Sequence, residues 1–113
     1  MSHVGTHVIM NVFDIPNNFL LQNLENGIII SNQLVDTLQL NVLDTSAHQF
    51  EPFGYTIVYL LSESHLSIHT YPEYHSCYID IFCCNKNFNP LFAIELVKQL
   101  FYTQNVIFHI IPR

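Results

Sequence analysis

The chain has 113 residues, half of them apolar and 11% charged, and its formal charge is -6 because nine acids face only Lys86, Lys98 and Arg113. That length supports one domain, residues 1–113, with no second core. Three scattered cations leave no basic footprint, so nucleic acid is not an expected partner. An average globular domain is about 25% charged, so this lean surface predicts cover by another subunit, and the acidic balance suits a cationic small molecule.

The first residues, Met1-Ser2-His3-Val4-Gly5-Thr6-His7, have neither the positive region nor the apolar block of a signal peptide. No apolar run approaches the ~18–20 residues that would cross a bilayer, so no membrane partner is expected. Cys77, Cys83 and Cys84 are odd in number and crowded, a poor disulfide framework. These features together predict a soluble, cytoplasmic protein.

His7 to Phe13 reads as a first strand, stopped by Asp14, Pro16 and Asn17-Asn18. Leu24, Ile28, Val35 and Leu38 recur at helical spacing, predicting a helix over 24–38, although Gly27 and the following three isoleucines are poor helix formers. Leu40 to Phe50 is a strand, and Pro52-Phe53-Gly54 turns the chain into a buried strand, Tyr55–Leu61. From His65 to Thr70, Leu66 and Ile68 point one way while His65, Ser67 and His69 point the other. Ser76 to Cys84 alternates too, with Cys77, Ile79, Ile81 and Cys83 on one face and Tyr78, Asp80, Phe82 and Cys84 on the opposite one. Asn89-Pro90 is an N-cap followed by proline at the first helical position. The helix it opens carries Ala93, Leu96, Val97, Leu100 and Phe101 on one side. Val106 to Ile111 is the last strand, ended by Pro112. The predicted architecture is α+β: a two-layer sandwich of a mainly antiparallel sheet with two helices on one face. The sheet's other face would carry His65, Ser67 and His69 beside Asp80 and Cys84.

Each reactive side chain has an ordinary reading as well. Ser64, between two strands, is by itself a turn serine. His65 and His69 share one strand face and could approach one site, or each could be a partly buried histidine bonded to backbone. His65, His69, His75, Cys77, Cys83 and Cys84 include good zinc ligands, but their spacing matches no standard zinc pattern, so no metal is expected. Cys83 and Cys77 fall with the core residues. Cys84 falls on the mixed face, where a thiol could donate a proton.

The segment Leu61-Ser62-Glu63-Ser64-His65-Leu66-Ser67-Ile68-His69-Thr70-Tyr71-Pro72-Glu73 resembles the self-cleavage and active-site segment of the prokaryotic S-adenosylmethionine decarboxylase proenzymes. The resemblance runs from the HVIMNVF strand through HQFEPFGYTIVYLLSESHLSIHTYPE and YIDIFCC to the helix begun by Asn89-Pro90. It implies autocatalytic cleavage between Glu63 and Ser64, with Ser64 becoming a pyruvoyl cofactor, His69 as the processing base and the hydroxyl of Thr56 assisting. It also implies that Cys84 reprotonates the substrate alpha-carbon, that Glu73 binds the ribose hydroxyls, and that Phe50 stacks on adenine beside an aromatic wall at Tyr71. The implied reaction is decarboxylation of S-adenosylmethionine, through a Schiff base between its amine and the pyruvoyl ketone, to the aminopropyl donor of polyamine synthesis. The implied assembly is a homodimer of cleaved protomers with active sites at the interface.

Three positions depart from the family pattern: Thr56 stands for a serine, Tyr71 for a tryptophan and Asn11 for an acid. Two other readings stay open at this level. One is a pyruvoyl-dependent ornithine or arginine decarboxylase on the same scaffold. The other is an unprocessed, non-catalytic homologue acting as a binding or regulatory subunit.

Overall fold

Wherever apolar residues recur at every second position, the chain is extended, and the strands so formed pair into one sheet. The computed structural model describes residues 3–113. Its strands are β1 (Thr6–Val12), β2 (Val42–Gln49), β3 (Tyr55–Leu61), β4 (Ser64–Tyr71), β5 (Ser76–Cys83) and β6 (Val106–Pro112). They lie in the order β2-β3-β4-β5-β1-β6, and each neighbouring pair is antiparallel. Helices α1 (Phe19–Gln22), α2 (Leu24–Thr37) and α3 (Pro90–Phe101) pack on one face, where Val8, Met10, Ile57, Leu66, Ile68, Ile79 and Ile81 join Leu34, Ala93, Val97 and Phe101 in a single core. The molecule measures 46 × 29 × 19 Å, its short axis spanning one sheet and one helical layer. The α+β two-layer sandwich is as expected.

The differences are local. Helix α1 is a single turn of four residues, too short for any periodicity to reveal it. Strand β5 ends at Cys83, which leaves Cys84 beyond it, and Pro72–Tyr74 forms a 3-10 turn after β4.

Helix α2 forms despite its unfavourable residues because a close approach requires one of them. A Cβ added at Gly27 would lie 2.3 Å from two ring carbons of Tyr55. That ring is buried, and its hydroxyl donates to the carbonyl of Leu20 at 2.7 Å. Helix α3 follows its sequence signals more directly: the Asn89 side chain accepts the amide of Phe92 at 3.1 Å, with Pro90 at the first position.

Candidate active site

Strand β4 alternates between the core and the open face of the sheet. Leu66, Ile68 and Thr70 are buried, so His65, Ser67, His69 and Tyr71 point away from the helices. The strand begins at a tight turn. Leu61 pairs with Ser64, leaving Ser62 and Glu63 as the loop. Ser64 has φ 148°, a conformation that side-chain-bearing residues rarely adopt and that stores backbone strain. The Glu63 carbonyl accepts a hydrogen bond from the Cys84 amide at 3.0 Å. The carbonyl immediately before Ser64 is therefore already held by a backbone donor.

Cys84 is exposed, whereas Cys77 and Cys83 are buried. Burial pushes the thiols of both buried cysteines up, so they act as neutral core groups. The Cys84 thiol rests against Gly5: a Cβ there would stand 2.9 Å from Sγ and 2.8 Å from the Cys83 carbonyl oxygen. Gly5 permits this packing because it has no side chain.

The far end of β4 carries a different set of groups. Thr56 pairs with His69 across β3 and β4, and Thr56 Oγ1 lies 3.0 Å from His69 Nδ1. One row across the open face reads His48, Thr56, His69, Tyr78, Asn11 and Ile107. Beside it lies a cavity of about 450 Å³ lined by residues that include Phe50, Glu51, Thr56, His69, Tyr71 and Glu73. Phe50 and Tyr71 are 46% and 44% exposed, which leaves their rings free to bind against. Five of the residues that the resemblance assigns to processing or substrate thus share one cavity: Phe50, Thr56, His69, Tyr71 and Glu73.

Ser64 and His69 are not brought together within one chain. They stand five positions apart on the strand, which is about 16 Å at the usual rise per residue. Ser64, Glu63 and Cys84 form one group; the cavity residues form another.

Two features had not been picked out in the sequence. Gln49 ties the β2–β3 loop to the helices: Oε1 accepts the Leu24 amide at 2.6 Å, and Nε2 reaches the carbonyls of Gln22, Phe50 and Gly54 at 2.9–3.0 Å. It therefore sets the backbone that presents Phe50. On the open face near Ser64, His7 Nε2 lies 3.7 Å from Asp80, and the Arg113 guanidinium stacks over Phe82 and reaches His7 Nδ1 at 3.3 Å. His7 and Arg113 are 106 positions apart, so no local pattern could have shown this cluster. Among the described residues no group of three or more His, Cys, Asp or Glu side chains could hold a metal ion. No helix there is long and apolar enough to cross a membrane.

Known proteins resemble the chain over nearly its whole length. The profile of the S-adenosylmethionine decarboxylase family matches residues 6–113. The chain is 32% identical over 104 residues to an S-adenosylmethionine decarboxylase proenzyme of Fervidobacterium nodosum, covering 92% of this chain and 75% of that one. It is 36% identical over 101 residues to S-adenosylmethionine decarboxylase proenzyme 2 of Bacillus cereus, covering 88% and 80%. Its fold is similar to the crystal structure of the adenosylmethionine decarboxylase of Aquifex aeolicus, with a TM-score of 0.91 at 22% identity over 100% of this chain and 92% of that one. On these grounds the chain belongs to the S-adenosylmethionine decarboxylase family.

Proposed function

We propose that the protein cleaves itself between Glu63 and Ser64 and then decarboxylates S-adenosylmethionine. The observation that carries the reading is the conformation of that bond: a strained Ser64 follows a carbonyl already hydrogen-bonded by the Cys84 amide. When Ser64 Oγ attacks the Glu63 carbonyl carbon, negative charge develops on the oxygen that this amide faces, the arrangement that stabilises such a step. The scissile C–N bond breaks to leave an ester, and the attack can relieve the strain at Ser64. A base then removes the Ser64 alpha-proton, the Oγ–Cβ bond breaks and Glu63 leaves as a carboxylate. The resulting dehydroalanine takes up water, loses ammonia and leaves a ketone at residue 64.

That pyruvoyl group fits the site, since Ser64 begins a strand and pairs with Cys83, the residue before the exposed Cys84, and it would supply an electron sink for the pair released as carbon dioxide departs. Cys84 Sγ returns a proton to the substrate carbon. Phe50 and Tyr71 stack on the purine, and Glu73 accepts from the ribose hydroxyls. His69, oriented by Thr56 Oγ1, serves as the processing base.

Both groups of residues are needed at one site, although a single chain holds them about 16 Å apart along β4. We infer that two copies pair through their open faces about a two-fold axis that lies between the sheets and crosses the strands. This places each Ser64 beside the partner subunit's His69. Val58, Leu60, Ile107 and Ile111 are exposed on that face, and the low overall charge agrees with such cover.

Intact mass and labelled substrates test the reading. Purified protein should give fragments 1–63 and 64–113, the second blocked at its amino end, and should release carbon dioxide from S-adenosylmethionine. An uncut chain of 13.1 kDa after long incubation at neutral pH would sink the enzymatic reading. Turnover of ornithine or arginine in place of S-adenosylmethionine would replace the substrate.

A further inference from the structure

We propose that Tyr78 is a positioning residue for the substrate purine, acting by holding Tyr71 as the second wall of the cleft opposite Phe50; this rests on the substrate reading above. Both walls line the same cavity and both are nearly half exposed. An exposed aromatic ring binds a flat ligand well only if its side-chain rotamer is fixed beforehand, because otherwise binding must freeze it. Each wall has an aromatic ring behind it. The His48 ring meets Phe50 at 4.8 Å between centroids and 68°. The Tyr78 ring meets Tyr71 at 5.5 Å and 81°, an edge-to-face contact in the favourable range.

Tyr78 is in turn braced by Phe13, at 6.3 Å and 88°. Its place in the sheet explains the reach. Tyr78 pairs with His69, and Tyr71 lies two positions farther along β4, a diagonal neighbour that aromatic side chains can touch. Tyr71 is smaller than the tryptophan of the family pattern, and the ring of Tyr78 supplies bulk behind it. Tyr78, Tyr74, Tyr71 and His69 also line a cavity of about 410 Å³, so the space left by removing the Tyr78 ring would be open and Tyr71 could swing into it.

The test uses the processed protein and 5′-methylthioadenosine, which carries purine and ribose but no amine to react, with Kd measured by calorimetry. Tyr78→Ala should weaken binding about three- to tenfold, raise KM for S-adenosylmethionine in proportion and leave kcat within about twofold. Tyr78→Phe should bind like the wild type. Tyr78→Leu, which fills space without a ring, should behave like Tyr78→Ala and stands in if the alanine variant fails to fold. Tyr71→Trp in the Tyr78→Ala protein should recover most of the lost affinity. Unchanged binding in both Tyr78→Ala and Tyr78→Leu overturns the proposal, as does an equal loss in Tyr78→Phe, or a fall in kcat with Kd unmoved. Wild-type protein that does not bind methylthioadenosine overturns the substrate reading, and this proposal falls with it; wild-type binding without a variant effect removes this proposal alone.

Discussion

The two ends of strand β4 are built by different means. At its start, backbone geometry does most of the work: Ser64 has φ 148°, and the carbonyl before it is held by the Cys84 amide. At its other end, side chains from the β2–β3 loop, β3, β4 and the following turn converge on one cavity. Breaking a peptide bond needs one carbonyl held in one geometry, whereas recognising a ligand needs surface distributed over several residues. Substitutions at the first end should therefore act as a switch, and those at the second should act by degrees.

The largest expected effect breaks the two ends apart and then rejoins them. Ser64→Ala and His69→Ala should each remain uncut when expressed alone. Co-expressed with distinguishable tags, they should form mixed pairs in which one site has both groups. Cleavage should then reappear, confined to the His69→Ala chain, because that chain keeps Ser64. No cleavage in the mixed pairs would mean that His69 does not act across an interface.

Next in size is a separation of functions within the Ser64 end. Cys84→Ala removes the thiol but keeps the backbone amide that faces the Glu63 carbonyl. Cleavage should survive, while decarboxylation falls by about 10²–10⁴-fold, the usual worth of a placed proton donor. Mass spectrometry reads the first and carbon dioxide release the second. Equal loss of both would assign the thiol to processing as well.

The cavity end should respond more gently. Phe50→Ala loses an aromatic contact of about 0.5–1.5 kcal/mol beyond its area burial, and Glu73→Gln weakens charge-assisted hydrogen bonds of about 1.5–3 kcal/mol. Each should weaken use of S-adenosylmethionine about tenfold, at 1.4 kcal/mol per decade, with Ser64 cleavage retained. Steady-state kinetics on the cleaved variants checks this, and a loss confined to processing would contradict it.

Much of the fold was legible because the signals were periodic. The alternation of Leu66 and Ile68 with His65, Ser67 and His69 put the histidines on the open face, where the structure places them. The pair Asn89-Pro90 placed the start of α3. What escaped was non-local. Nothing near Gly27 announces that the Tyr55 ring lies against it, although this close approach explains a glycine in α2. Insertion of β1 between β5 and β6 depends on pairing between distant segments. The separation of Ser64 from His69 follows from counting, since residues five positions apart on an extended strand cannot close on one another. Tyr78 was visible as an open-face residue, but its contact with Tyr71 is diagonal across two strands and needs side-chain positions.

The smallest expected effect compares neighbouring cysteines. Cys83 is buried and Cys84 exposed, because β5 ends between them. Only a thiolate is alkylated readily, and burial both shields Cys83 and pushes its thiol up. In native protein at mildly alkaline pH, iodoacetamide should therefore modify Cys84 and spare Cys77 and Cys83, with all three reacting after denaturation. Cys83→Ala removes one buried sulfur from the core and should cost about 1–2 kcal/mol of stability, read as a lower urea midpoint. Turnover should be nearly retained, because Cys83 faces the core while the Cys84 amide and thiol remain in place. A Cys83→Ala variant with wild-type stability but lost turnover would place the chemistry on the wrong cysteine.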